Sequence, residues 1–225
     1  FALEEFDFNS SPETYIYIAI RRGPLAPPES ATEVFAIDNA NNSSTTTPQA
    51  IAGFPVDFSL RKETTGSDSF AFTRLTTPYG MYVNQTSAEV NFGSNQFDNN
   101  TGVYTNSSFI NTSRYYWMFR RAPNFFDVVA YTGTGTEPSP WFDHGLGVIP
   151  EMMWIKRRNS SGDWQVYHTG LSNNFGALQL NQTNAEGINF VYSDTTGFTS
   201  TQFRVWFGGA NIANISGSNY IAYLF

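Results

Sequence analysis

The side chains of this sequence that most suggest chemistry are two histidines and two glutamates that recur in similar settings. His144 follows Asp143, and a histidine beside a carboxylate is a common arrangement for a general base. Glu89 and Glu186 each close a similar motif, and two carboxylates facing one sugar can hydrolyse a glycosidic bond. His168 has no such neighbour, and two histidines with no cysteine form no obvious metal cluster. We therefore predict no metal and no cofactor.

The motif that ends in these glutamates occurs twice. Residues 84–89 read NQTSAE and residues 181–186 read NQTNAE. Each copy carries one acid with no second acid beside it, which argues against a catalytic pair. Asparagine and threonine side chains commonly bond the backbone of a turn after a strand. We therefore expect Asn84, Glu89, Asn181 and Glu186 to be structural.

The motif belongs to a longer duplication. Residues 21–24 (RRGP) return as 120–123 (RRAP), and residues 53–57 (GFPVD) return as 147–151 (GVIPE). Ordered matches at offsets of 94 to 99 residues indicate tandem repeats, which must be recognised before a fold is predicted.

The duplication also bears on the histidines. Aligning Phe70 with Trp164 places His144 opposite Ala50 and His168 opposite Arg74. Because repeat one builds the same unit without either histidine, we predict that the chain has no catalytic residues and is not an enzyme.

The duplication divides the chain into three parts. Residues 1–22 are expected to end a preceding repeat, residues 23–121 form repeat one, and residues 122–225 form repeat two. Residues 40–49 are predicted to be an exposed loop, and their counterpart contains Trp141. An exposed Trp141 ring could stack on a sugar, although packing against the neighbouring repeat is the alternative.

Composition limits the class of protein. Aromatic residues make up 17% of the chain and charged residues only 14%, below the usual quarter or so. The net charge of −7 disfavours nucleic acid, which selects a basic surface. No apolar run is long enough for a membrane helix, so membrane insertion is not predicted. The absence of cysteine favours a bacterial or viral product assembled in a reducing cytoplasm.

The hydrophobic pattern predicts an all-β fold. Short runs alternate apolar and polar residues, as in residues 15–19, 177–181 and 203–207, and Gly, Asn and Ser clusters separate them. Residues 152–155 form a continuous apolar run, which predicts a strand covered on both faces. We expect about seven strands per repeat, arranged as tandem antiparallel β-sandwich, jelly-roll-like repeats of about 100 residues.

Basic residues follow predicted strands in both repeats. They occur at positions 61–62 and 156–158, and again at 21–22 and 120–121. These cations could cover a sheet rim or pair across the joint between repeats. Contact with phosphate or lipopolysaccharide is the alternative.

Several segments of repeat two resemble a repeat of tail-fibre-like virion proteins from marine bacteriophages, cyanophages especially. The similar segments are residues 126–133, 144–153, 156–158, 163–168 and 220–225. Repeat one matches more loosely and lacks the histidines. The resemblance implies a non-enzymatic structural or adhesive component of a virion.

Our main functional hypothesis is therefore a phage tail fibre that takes part in host attachment, located in the virion and assembled in the bacterial cytoplasm. We expect a homo-oligomer, a trimer as in many phage fibres, with other virion proteins and a host surface glycan as partners. The alternatives are a capsid-decorating head fibre and a polysaccharide depolymerase. A cluster of acids in one concave groove would favour the depolymerase.

Overall fold

The structure, a computed structural model, describes residues 26–40, 48–64, 66, 68–93, 97–104, 111–172, 176–188, 197–205 and 213–225. Residues 1–22, predicted to end a preceding repeat, lie outside this part. Apart from the three-residue 3-10 helix Ala31–Glu33, the regular elements of the described residues are strands that pair antiparallel. The all-β, antiparallel prediction is confirmed.

The strands fall into two sets of eight, which we call unit one and unit two. The strands of unit one are β1 (Phe35–Ala40), β2 (Ala50–Ile51), β3 (Phe58–Glu63), β4 (Ser69–Thr73), β5 (Tyr79–Tyr82), β6 (Val90–Asn91), β7 (Gly102–Val103) and β8 (Asn111–Phe119). The strands of unit two are β9 (Asp127–Thr132), β10 (Phe142–Asp143), β11 (Met152–Arg157), β12 (Gln165–His168), β13 (Gly176–Gln179), β14 (Gly187–Ile188), β15 (Gln202–Phe203) and β16 (Asn219–Leu224).

The two units have the same strand order. Unit one forms a six-stranded sheet β1-β8-β3-β4-β5-β6 and a small sheet β2-β7. Unit two forms β9-β16-β11-β12-β13-β14 and a small sheet β10-β15. Each unit has eight strands, one more than expected. The strands of the pairs β2-β7 and β10-β15 have two residues each, too few to show alternation in the sequence.

Apolar residues on both faces of each large sheet build three cores. We call the six-stranded sheets of units one and two sheet one and sheet two, and the face of each that is turned away from the other its outer face. The outer face of sheet one packs under β2 and β7, and its core includes Phe70, Phe72 and Met118. The outer face of sheet two packs in the same way around Ile155 and Phe203. The third core lies between the two large sheets, so each unit completes its layers only against the other.

Strand β11 illustrates why residues 152–155 are all apolar. Met153 and Ile155 belong to the outer core of unit two, whereas Trp154 packs against the core between the sheets. Successive strand residues point to opposite faces, so a strand covered on both sides needs apolar residues at consecutive positions. The prediction made for residues 152–155 is confirmed.

Hydrogen bonds correct the alignment of the repeats by one residue. The backbone N–H groups of Ser69 and Trp164 each donate to the side chain of the motif asparagine, Asn84 and Asn181 respectively. Trp164 therefore corresponds to Ser69, and the expected pairing with Phe70 is wrong. The chain from Arg157 to Trp164 is one residue longer than the corresponding chain from Glu63 to Ser69, which shifts the offset from 94 to 95.

The same correction applies to the histidines. The N–H of His144 bonds the carbonyl of Thr201, as the N–H of Ala52 bonds that of Thr101, so His144 corresponds to Ala52 and not to Ala50. His168 likewise corresponds to Thr73 and not to Arg74. Unit one still has no histidine at either position.

Candidate functional site

The two units meet at a joint, in which aromatic, charged and polar side chains of both units contact one another. At its centre the ring of Phe58 packs on Tyr223 and Phe126, with centroid distances of 4.5 and 5.4 Å. Met81 and Trp164 are fully buried beside them. Burying such side chains contributes roughly 1.5–3 kcal/mol each, so the two sheets are held together as parts of a core are.

Polar contacts fix how the sheets meet. The indole Nε1 of Trp164 donates to the carbonyl of Tyr82 at 2.8 Å. Arg158 forms a two-pronged ion pair with Glu89, with Nε–Oε2 at 2.8 Å and Nη2–Oε1 at 3.3 Å. The N–H of Glu89 also donates to the carbonyl of Arg158 at 2.8 Å. Paired donors and acceptors of this kind specify geometry as well as adding stability.

Lys156 is buried in the same joint. Its Nζ donates to the carbonyls of Thr86, 3.2 Å away in unit one, and Arg157 at 3.0 Å. Burial, together with the nearby charge of Arg157, lowers the pKa of Lys156 to about 8, against a smaller opposite effect of Asp163. A lysine with a lowered pKa can act as a base or nucleophile, but this one is closed off from solvent.

A groove of about 360 Å³ adjoins the joint. Its walls are mostly apolar, with Leu60, Trp117 and Val83 from unit one facing Trp154 and Leu180 from unit two. The described lining contains no carboxylate, so it does not provide the acid cluster that a glycosidase would need.

The two copies of the repeated motif form the same polar cluster in each unit. In unit one the carboxylate of Asp68 accepts from the side-chain amides of Asn84 and Gln85, at 3.3 and 2.9 Å. In unit two the carboxylate of Asp163 accepts from those of Asn181 and Gln182, at 2.7 and 3.0 Å. We call each cluster an amide clip. It ties the start of β4 or β12 to the chain after β5 or β13.

The glutamates of the motif have different partners. Glu89 pairs with Arg158 across the joint, whereas the carboxylate of Glu186 accepts from the N–H and hydroxyl of Ser172, at 3.0 and 2.9 Å. Neither contact brings a second acid into hydrogen-bond range. The same motif residue thus holds the joint in unit one and a local loop in unit two.

Both histidines make local backbone contacts. His144 is buried, its Nε2 lies 3.2 Å from the carbonyl of Thr199, and its Nδ1 accepts from the N–H of Leu146. Burial is the main cause that lowers the pKa of His144, so the neutral ring is favoured. The Nδ1 of His168 accepts from the N–H of Gly170 at 2.9 Å.

Trp141 lies on the outer side of unit two, directly before β10. Its side chain is 39% exposed, and the guanidinium carbon of Arg204 stands 4.7 Å from the ring centroid. Arginine stacked on one side of an indole holds the ring in place. This exposed, supported ring is the arrangement that stacking on a sugar requires.

Sequence reasoning did not recognise Asp68 and Asp163 as the centres of the clips. It offered pairing across the joint as one role for the basic run at 156–158, and Arg158 does pair in this way. One sequence signal could have indicated the role of Trp164. This tryptophan follows a turn at the position where repeat one has a serine.

Among the described residues, no group of three or more His, Cys, Asp or Glu side chains is placed to hold a metal ion. Within the same part of the chain, no helix has the length and apolar character to cross a membrane.

In comparison with known protein families, residues 121–225, which contain all of unit two, match a family described as a domain of unknown function (DUF7483). Neither the curated proteins nor the solved structures compared with the chain gave a match.

Proposed function

We propose that this chain is a structural component of a phage virion, a tail fibre that takes part in attachment to the host surface. The resemblance of unit two to fibre repeats motivates the proposal. In this role the chain spaces and presents a binding surface and carries out no reaction.

The rigid joint between the units is the observation that carries the proposal. A fibre must hold its domains at fixed positions along its length, so consecutive domains need a stiffer connection than a flexible linker. The shared aromatic core, the Glu89–Arg158 ion pair and the indole hydrogen bond to Tyr82 supply that stiffness. Relative motion of domains is the usual expectation unless their interface is large and apolar. This joint buries apolar side chains of both units in one core.

Trp141 is the residue we propose for contact with a host glycan. It lies away from the joint, beside β10, and Arg204 supports its ring. One stacked ring gives weak binding, but linked weak sites can raise avidity by roughly 10² to 10⁴. We therefore propose a homo-oligomer, a trimer, as the attachment-competent form.

Labelling intact particles with antibody against this chain tests the virion role. Label on the tail appendages is expected. Label on the head would replace the tail fibre with a capsid-decorating protein, and absence of label from purified particles would overturn a virion role.

Competition for adsorption tests the attachment role. Soluble chain should reduce particle adsorption to the host, and Trp141→Ala should weaken this competition by about tenfold or more. Ile149→Ala, a change at another exposed apolar residue of unit two, is the matched control. Equal competition by all three proteins would contradict the role of Trp141. Release of shortened polysaccharide from host surface material would move the function to the enzyme class.

A further inference from the structure

One strip of sheet one carries apolar side chains that solvent reaches. On the face turned toward unit two, Ile37 is 54% exposed and Tyr115 is 40% exposed. Trp117 lies between them, because it pairs with Ile37 across β1 and β8 and stands two residues from Tyr115. We call Ile37, Tyr115 and Trp117 the open strip. It borders the apolar groove, which Trp117 also lines.

The registers of the two sheets identify the counterpart of this strip. Leu60, Trp117 and Ile37 stand side by side on β3, β8 and β1. Trp154, Tyr223 and Val128 stand side by side on β11, β16 and β9.

One step further along these strands, Tyr115 pairs with Lys62 and Ile221 pairs with Lys156. The counterpart of the open strip is therefore Val128, Ile221 and Tyr223.

The residues of the counterpart are fully buried, and the structure shows which residues cover them. Val128, Ile221 and Tyr223 are at most 1% exposed, and they share one core with Phe58, Ala71 and Met81 of unit one. In unit two, the residues that correspond to the open strip are thus covered by the apolar sheet face of unit one. Among the described residues, sheet one has no such cover over its own strip.

We propose that the open strip is a self-association face, and that its occupant is an apolar sheet face from a second copy of this chain. The buried counterpart shows that the surface at this register accepts a sheet of this kind, and the strip is continuous with the joint where that contact already exists. The inference goes beyond the proposed function, since it does not depend on where the chain is located.

The chemistry of the strip supports this occupant. Its side chains are aromatic and β-branched and carry no charge, as is typical of sheet-to-sheet packing. Contiguous exposed apolar patches of more than about a few hundred Å² are uncommon on monomers unless they bind a partner. A contact between unlike faces of two copies can close into a ring, which is how a trimer would form.

Mass measurement across a concentration series tests the proposal. The chain of 25.2 kDa should move toward an integral multiple of that mass between about 1 µM and about 300 µM in analytical ultracentrifugation. Ile37→Lys should shift the association midpoint by at least about tenfold or abolish association, since it places a charge in the apolar contact.

Ile51→Lys is the matched control. Ile51 is also 54% exposed and lies in the same unit, but it belongs to the small outer sheet. Ile51→Lys should associate as the parent chain does. Thermal unfolding of both variants checks that each one folds.

Three outcomes would overturn the proposal. The first is a monomer throughout the series, and the second is equal weakening by Ile37→Lys and Ile51→Lys. The third is a parent chain that is monomeric and associates only after removal of residues 1–25. That result would mean that this segment of the same chain covers the open strip.

Discussion

At the scale of single residues, Glu89 and Glu186 show how position in the chain decides what a motif does. Both end the same six-residue motif, yet only Glu89 reaches an arginine of the other unit. Its ion pair with Arg158 is largely shielded from solvent, which makes it stronger than an exposed surface pair.

Replacing the two glutamates separately should therefore give unequal losses. Glu89→Gln should lower the free energy of unfolding by about 1–2 kcal/mol, because Arg158 keeps a weaker neutral partner. Glu186→Gln should change it by no more than about 0.5 kcal/mol. Urea denaturation of both variants measures the difference, and equal losses would contradict a special role for the pair in the joint.

Lys156 predicts how stability depends on pH. Its pKa is about 8 in the folded chain and near 10.5 as an ordinary lysine. Between these values the unfolded chain holds the proton and the folded chain does not, so the free energy of unfolding rises with pH. We expect a rise of about 1–3 kcal/mol between about pH 8 and about pH 10.

Lys156→Met should remove this rise. The variant keeps the length of the side chain but has no proton to lose, so its unfolding free energy should be flatter over the same range. Lys62→Met, at the equivalent position of unit one, is the control and should keep the rise. Parallel pH profiles for the parent and Lys156→Met would show that the pKa of Lys156 does not cause the effect.

At the scale of elements, the amide clips explain why the motif occurs in both units. Each aspartate accepts from the two motif amides, and Asp163 accepts from Gln179 as well, which ties two neighbouring strands together at one end. The N–H of Ser69 or Trp164 bonds the same asparagine and completes the tie.

Each clip should contribute to stability. Asp68→Ala and Asp163→Ala should each lower the free energy of unfolding by about 1–3 kcal/mol, because the first leaves two amides and the second three amides without their acceptor. Chemical denaturation of the two variants checks this. A large loss in one unit with none in the other would mean that the clips are not equivalent.

At the scale of the whole molecule, the core between the sheets couples the units. Phe58 and Met81 of unit one are buried by Trp164 and Tyr223 of unit two, so neither sheet keeps its inner face covered alone. Domains that share a core in this way are expected to unfold together.

Calorimetry should therefore show a single unfolding transition for the chain. Trp164→Ser, which copies the serine of unit one, should lower stability by about 3–5 kcal/mol and broaden or split the transition. Two separate transitions in the parent chain would contradict the coupling.

The sequence alone determined the class of fold and some of the strands. Alternation in residues 177–181, which overlap β13, and the apolar run of β11 depend on local pattern, which a single chain displays directly. The duplication indicated the division into two units. The one-residue shift between Ser69 and Trp164 was missed, because a loop insertion leaves no periodic signal.

Tertiary structure alone decided which faces meet. The open strip and its buried counterpart occupy the same register, and Tyr115 and Ile221 are both apolar. Their burial differs because unit one covers the counterpart in sheet two, while no equivalent cover lies over the open strip within the described residues. Pairing of Glu89 with Arg158 likewise required the two sheets to be docked. A local sequence pattern sets which side chains share a strand face, but what that face packs against depends on contacts between residues far apart in the chain.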